Sequence, residues 1–332
     1  MGRAGDGPGP GKALTGPGRG PGTGRRARGT VLPSLAAVLL ARTRFPGPGT
    51  PLACAVSGGP DSLALLVLAV AAGCDPTAYH VDHGLRAGSA AEADVVAAAA
   101  EALGVEAVSL VAPCEPGPNL EARARAARFA VLPSPVATGH TADDQAETIL
   151  LNLLRGAGLD GLAPMVDGER HPIVGLRRRE THALVVSTGL AWVDDPSNRS
   201  LELRRNRVRH ELLPLCEAIA ERDVAAVVAR QAALLSADAA LLEELSLRID
   251  PTDARAVAAA PAPLARRALR RWLRDLLPGG HPPDAAALAR VLAVAAGESR
   301  ACELPGGLRV ARSRGRLVAV PGGGGEASGG SG

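Results

Sequence analysis

The 332-residue chain contains a single lysine, Lys12. Arginine therefore carries nearly all of its positive charge, a pattern that fits GC-biased coding together with the abundant Ala, Gly and Pro. No lysine follows the glycines of Ser57-Gly58-Gly59-Pro60, so that segment is not the GxxxxGK[ST] phosphate loop. Aromatic residues make up only 2%, so the core must be built from Ala, Leu and Val. The five cysteines, Cys54, Cys74, Cys114, Cys216 and Cys302, form no CxxC pair. That spacing gives no sign of a zinc ribbon or an iron–sulfur motif, and it fits reduced thiols in a cytoplasmic protein. No apolar run is long and unbroken enough to suggest a membrane span. The basic N-terminus is broken by Gly and Pro and leaves no signal-peptide core.

What is present points to a globular chain of two domains. The hydrophobic fraction is 46%, and the net charge of +3 permits a nucleic-acid partner without requiring one. Residues 1–29 and 322–332 are rich in Gly with Pro, Arg or Ser, and are expected to be disordered tails. Between them, short apolar runs alternate with helical patterns. Strands are expected at Leu52–Val56, Thr77–Val81, Val105–Val111 and Val136–Thr138, each followed by a helix. Such units predict an α/β domain over 30–220, with a parallel Rossmann-like sheet and helices on both faces. From about Ala220 the pattern is mostly helical and ends in a β-hairpin, Ala301–Leu304 with Leu308–Val320. This predicts a small accessory domain over 221–321.

Four segments carry chemistry. In the first, Ser57-Gly58-Gly59-Pro60-Asp61-Ser62 joins the first strand to its helix. Its glycines let backbone amides approach a ligand, and the helix N-terminus favours an anion. Asp61 is placed to hold Mg²⁺ beside bound phosphates. In the second, Tyr79-His80-Val81-Asp82-His83-Gly84-Leu85-Arg86, His80, His83 and Arg86 are candidates for the adenine or phosphate side of a nucleotide, against the plainer reading of a polar strand end. Strand alternation sets His80 and His83 on opposite faces, which argues against a metal cluster there.

In the third, Gly139-His140-Thr141-Ala142-Asp143-Asp144-Gln145-Ala146-Glu147 opens a helix. Thr141 and Asp144 have capping-box spacing, which accounts for Asp144. Asp143 and Glu147 lie one turn apart on a shared face and could hold a cation or accept a proton. The fourth runs from Asp194-Asp195-Pro196 to Arg204-Arg205-Asn206-Arg207-Val208-Arg209. Its basic half is a solvated helix start or a contact for phosphate or RNA, with Arg205, Arg207 and Arg209 as candidates. Further on, Arg266, Arg267, Arg270, Arg271 and Arg274 form a helical stripe opposite Leu269, Trp272, Leu273 and Leu276. The apolar side is expected to pack and the basic side to face solvent or a phosphate backbone, with Arg267 and Arg271 as contacts.

The Ser57–Ser62 string resembles the pyrophosphate-binding loop of the N-type ATP pyrophosphatases. All four segments in their order, with Asn119-Leu120-Glu121-Ala122-Arg123-Ala124-Arg125, resemble the tRNA(Ile)-lysidine synthases. The resemblance implies ATP and Mg²⁺, and no zinc or iron–sulfur cluster. It implies free L-lysine and an isoleucine tRNA with a CAU anticodon as partners, and allows a homodimer. Lysine would be ligated to C2 of the wobble cytidine through an adenylated intermediate. Asp143 and Glu147 would then bind or deprotonate the lysine amine. A tRNA thiolase of the same superfamily and a nucleotide-binding regulator without turnover are the alternatives.

Overall fold

The computed structural model describes residues 34–82, 89–113, 120–165, 168–277 and 283–321. The two tails, Asn119, His83 and Arg86 lie outside the described residues. The chain runs α1 (Ser34–Leu40), β1 (Pro51–Ala55), α2 (Pro60–Ala71), β2 (Asp75–Asp82), α3 (Ser89–Leu103), β3 (Glu106–Val111), α4 (Leu120–Val131), β4 (Ala137–Thr138) and α5 (Ala142–Leu154). Next come α6 (Leu159–Leu162), α7 (Arg178–Thr188), α8 (Arg204–Arg207), a π-helical turn at Val208–Leu212, and α9 (Leu213–Ala220). The C-terminal part holds α10 (Val224–Ser246), α11 (Ala254–Ala259), α12 (Ala262–Arg274), α13 (Ala285–Ala296), β5 (Ala301–Leu304), β6 (Leu308–Ser313) and β7 (Arg316–Pro321).

The first four strands form one parallel sheet in the order β3-β2-β1-β4. The order steps outward from β1 through β2 to β3, then returns to β4 on the other side of β1. That reversal leaves a crevice beyond the C-terminal ends of β1 and β4, where open α/β sheets bind ligands. The Ser57 loop follows β1 and Gly139-His140 follows β4, so both stand at the reversal. Helix α2 lies at the centre of this domain. Leu63 to Ala69 are all fully buried, because α2 packs among β1, β2, α1, α3 and α7. An unbroken apolar run suits a helix covered all round.

The C-terminal residues have a core of their own, in which Leu269, Leu273, Leu288, Val291 and Val310 are fully buried or nearly so. Helix α10 packs on α5, α6 and α9 and also on α12. Its 23 residues have a mean hydropathy of 1.5 in their most apolar stretch, so by length and composition it could cross a membrane. That differs from the expectation drawn from the sequence. Here α10 lies between the two cores, and Asp223 caps its N-terminus by accepting from the Ala226 amide at 2.9 Å.

Two expectations are corrected. The segment Leu308–Val320 is two strands, not one arm of a hairpin, so β5, β6 and β7 make a three-stranded antiparallel sheet. The chain turns at Arg314 and Gly315, which have φ of 50° and 79°. Two consecutive residues at positive φ are what a tight hairpin turn requires. The basic stripe of α12 is also not a bare solvent face. Arg267 pairs with Asp160 of α6 and, at 3.3 Å, with Glu243 of α10. Arg271 donates to Glu243 at 2.9 Å and to the Ser246 hydroxyl at 3.1 Å, and Arg270 to Asp160 at 3.1 Å. The counter-charges come from other elements, so these arginines fasten α12 to α10 and α6. Leu276 falls beyond the helix end and is 43% exposed.

One glycine sets the distance between β4 and the Ser57 loop. A Cβ on Gly139 would stand 2.7 Å from the Asp61 carbonyl oxygen and 2.9 Å from Ser62 Cα. Both are backbone atoms of the first turn of α2 and cannot yield as a side chain does. Gly139→Ala is therefore expected to destabilise the fold by about 1–3 kcal/mol through overpacking. Urea unfolding measures this, and an unchanged midpoint would contradict it.

Candidate active site

The Ser57 loop is held by its own hydroxyls. The Ser57 amide donates to Ser62 Oγ at 3.1 Å, and Ser62 Oγ donates to the Gly59 carbonyl at 2.9 Å. Ser62 therefore shapes the loop, and its proton is committed there. Ser57 Oγ lies 3.3 Å from Ser62 Oγ and keeps its own proton for that contact or for a ligand. Gly58 has φ of 84°, and its carbonyl accepts from the Val193 amide at 2.9 Å. Gly59 precedes Pro60 at the N-terminus of α2, and no side chain caps that end. An uncapped N-terminus beside two glycines is a ready anion site.

A network of acid and arginine lies next to the loop. Asp61 accepts from the Thr181 hydroxyl through Oδ1, and Arg178 Nε stands 3.4 Å from its Oδ2. Arg178 also donates to Asp144 at 2.8 Å and to Glu147 at 3.0 Å. Arg205 reaches the same two carboxylates, both at 2.9 Å. Arg209 donates twice to Glu147, at 2.7 and 3.1 Å. Glu147 is 0% exposed. A carboxylate so placed needs this many donors, because burying an uncompensated charge costs several kcal/mol. Burial and then the Asp144 charge push the Asp61 carboxyl above its ordinary value. Asp144 moves the other way: burial opposes its ionisation, but Arg178 and Arg205 outweigh burial and hold it far below the usual carboxylate range.

The paired acid is thus Asp144 with Glu147. Asp143 is turned elsewhere: it binds Arg177 twice at 3.0 Å and accepts from the Arg178 amide at 2.7 Å. It pins the start of α5 to the start of α7. The one-turn spacing with Glu147 is real, but Arg177 takes Asp143 away from the shared cluster. Asp144 meanwhile serves two purposes. Its Oδ2 completes the capping box with Thr141, at 2.9 Å from the amide and 2.8 Å from the hydroxyl, while Oδ1 faces Arg178 and Arg205. Arg177, Arg178 and Thr181 had no place among the residues expected from the sequence. The signal for them was the arginine triplet Arg177–Arg179 in a chain whose acidic helix lacked counter-ions.

Two hollows that share part of their lining open onto this cluster. A cavity of about 820 Å³ is lined by the loop, Asp61, Arg178, His182, Asp194, Asp195, Asn198, Arg209 and His210, among others. A second, of about 250 Å³, is lined by Val56, Ser57, Asp61, His80, Phe129, Thr138, His140, Asp144 and Arg205, among others. Both include Ser57, Asp61, Ser62, Val81, Glu92 and Arg128. His80, the candidate from β2, is buried in the smaller one. Of the five arginines singled out for tRNA, Arg205 and Arg209 sit in the acidic cluster, and Arg267 and Arg271 bind α10. Arg207 is exposed, with Glu211 at 2.9 Å.

A PP-loop domain model matches residues 40–216, and a TilS substrate binding domain model matches 253–318. The tRNA(Ile)-lysidine synthase of Nocardia farcinica is 42% identical over 247 residues, covering 70% of this chain and 78% of that protein. The tRNA(Ile)-lysidine synthase of Mycolicibacterium paratuberculosis is 43% identical over 235 residues, covering 66% and 73%. The chain belongs to the tRNA(Ile)-lysidine synthase family. Among solved structures, the U34-tRNA thiolase NcsA from Methanococcus maripaludis aligns with a TM-score of 0.49 and 18% identity, over 60% of this chain and 78% of that one. In the lysidine synthase family frame, the PP-loop match contains the whole acid–arginine cluster, whereas Arg267 and Arg271 fall in the substrate binding domain.

The histidines of the site give a pH test. Burial lowers the His140 pKa to about 4, opposed by Asp144 and reinforced by His171. Burial likewise lowers His171. A histidine with a folded pKa below its unfolded value takes up its proton on unfolding. The stability it contributes is complete above about pH 6.5, the unfolded value, and is lost as pH falls towards the folded value. His140→Gln is therefore expected to flatten, in part, the loss of stability between about pH 6.5 and about 4, with His171 supplying the remainder. Denaturant midpoints across that window measure the slope, and identical slopes in both proteins would contradict it.

Proposed function

We propose that this chain ligates free L-lysine to the wobble cytidine of an isoleucine tRNA with a CAU anticodon, using ATP. The cytidine O2 attacks the α-phosphorus and pyrophosphate leaves. The lysine ε-nitrogen then attacks C2, the C2–O2 bond breaks, AMP departs with that oxygen, and the amine gives up a proton. The observation that carries the reading is Arg178, which touches Asp61 on the nucleotide side and Asp144 and Glu147 on the other. One guanidinium thus joins a phosphate loop to a pair of buried acids. The sulfur-transfer alternative is not favoured, since the relatives and the matched substrate binding domain carry the lysidine synthase name.

The roles follow from the chemistry of the side chains. Gly58, Gly59, Pro60 and the first turn of α2 form the phosphate cradle, with Ser57 Oγ as a further donor. Asp61 fits Mg²⁺: its carboxylate is half-buried, feels the charge of Asp144 and has its pKa raised, so a cation would supply missing positive charge. Among the described residues no three ligating side chains cluster by themselves, so the remaining ligands would come from the phosphates. When bound, Mg²⁺ neutralises charge on the departing pyrophosphate. Asp144 and Glu147 receive the lysine ammonium, and one of them takes its proton. Asp143 acts by holding Arg177 and α7. Since Arg178, Arg205 and Arg209 already occupy the two acids, an entering ammonium must displace at least one guanidinium. The phosphates of ATP provide the place for it to go.

The catalytic domain is assigned to 30–220 and the accessory, tRNA-binding domain to 221–321. Arg207 is placed on the tRNA backbone, while Arg267 and Arg271 set the angle at which the accessory domain is presented. The exposed Ile219, Leu234 and Leu241 of α9 and α10 support a homodimer. With these substrates the reaction is assigned to the cytoplasm.

Mass analysis of the wobble nucleoside, after incubation with ATP, Mg²⁺ and lysine, is expected to reveal lysidine only when tRNA and lysine are both present. Asp144→Asn is expected to raise the KM for lysine by about tenfold or more, the effect of losing a charge-assisted bond. tRNA-dependent ATP–pyrophosphate exchange should persist in that variant. Asp143→Asn should lower stability more than lysine use. Lysine kinetics unchanged in a folded Asp144→Asn protein would overturn the assignment.

A further inference from the structure

The smaller cavity contains a nitrogen that the reaction described above leaves unused. His80 is 3% exposed and shares a face of β2 with Pro76 and Ala78. Its Nδ1 lies 3.1 Å from the Val56 carbonyl oxygen. A carbonyl only accepts, so Nδ1 carries the hydrogen, and in the neutral ring Nε2 presents a lone pair. That Nε2 is buried and has no hydrogen-bond partner among the described residues. Buried polar atoms are almost always paired, and an exception on a cavity wall calls for a ligand atom.

A second imidazole on the same cavity is locked in the same way. Thr138 Oγ1 lies 3.0 Å from the Arg170 carbonyl, 2.7 Å from His140 Nδ1 and 2.9 Å from His171 Nδ1. A hydroxyl has one proton, and the carbonyl must receive it. Both histidines therefore donate through Nδ1, and His140 Nε2 is left as an acceptor. Burial keeps that ring neutral down to about pH 4. His80 is on β2 and His140 follows β4, the two strands that flank β1. Between them Val56, Phe129 and Leu132 supply apolar walls. A volume of about 250 Å³ lies below the usual range for a whole small ligand, about 300–1,000 Å³. It suits a heterocyclic base whose phosphates occupy the larger hollow.

We propose that this cavity reads the exocyclic amino group of a nucleobase, with His80 Nε2 as the acceptor that sets specificity. The inference rests on the lysidine-forming reading for its choice of bases. Both adenine, in ATP, and cytosine, at the wobble position, carry such an amino group. Hypoxanthine and uracil place a carbonyl oxygen there, and its lone pairs would face that of His80. The chemistry is the same for either source, so the test separates them.

Calorimetric titration of the full chain with ATP and with inosine triphosphate provides one arm. Competition between tRNA transcripts with C34 and U34 provides the other. The wild type is expected to prefer the amino-bearing base by about tenfold or more in one arm. In His80→Gln the side-chain amide can turn to donate, so that preference should fall to within about twofold. Collapse of the ATP-to-inosine-triphosphate ratio assigns the pocket to adenine, and collapse of the C34-to-U34 ratio assigns it to cytosine. Both ratios unchanged in a folded variant would overturn the proposal, as would a wild type that shows neither preference. His80→Asn replaces His80→Gln if the latter does not fold. The ratios are measured without lysine or turnover, so absence of lysidine formation would count against the function and leave this test intact.

Discussion

A fully buried carboxylate, Glu147, touches three arginines, one of which, Arg178, also reaches Asp61 of the Ser57 loop. Left uncompensated, a charge buried in such a place would cost several kcal/mol. The arrangement around it follows from this demand. Arg178 must open α7, Arg205 and Arg209 must leave a helix at the right face, and α5 must start where β4 ends. Asp144 and Glu147 are matched by Arg178, Arg205 and Arg209, whereas Asp61 has only the longer 3.4 Å contact with Arg178 and stays short of positive charge. Triphosphate and ammonium bring opposite charges, so each offsets part of the other's charge as it enters.

The scaffold that holds this balance is simple. The reversal of strand order beside β1 creates the crevice, and Gly139 lets β4 approach the first turn of α2 to backbone contact. Asp143 fixes the starts of α5 and α7 to one another, which sets where Arg178 can reach. The π-helical turn at Val208–Leu212 lies within the segment that carries Arg205 and Arg209. Such turns are frequent at functional sites, because they re-aim side chains within a helix.

The sequence disclosed the sheet domain well, since its strands are short apolar runs closed by Gly, Pro or Asp. The Ser57 loop and the Thr141–Asp144 capping box were also legible, because each is a local pattern with a local cause. Partners distant in the chain were not. Spacing put Asp143 and Glu147 on one face but could not say that Arg177, 34 residues away, would claim Asp143. The α12 stripe looked unbalanced because Asp160 and Glu243 lie far from it in sequence. Helix α7 was missed because its opening, Arg-Arg-Glu-Thr-His, is polar, although that end faces the cluster. The turn at Arg314-Gly315 was missed because Arg rarely takes positive φ, and only the glycine marked it.

The central claim is that one arginine couples the nucleotide site to the acid pair. Lysine affinity, measured with and without a non-hydrolysable ATP analogue in the wild type and in Arg178→Ala, tests it most directly. The account predicts that the analogue changes lysine affinity by about fivefold or more in the wild type, within the usual range of coupling between sites. In Arg178→Ala that dependence should disappear. The same dependence on the analogue in both proteins would contradict the account.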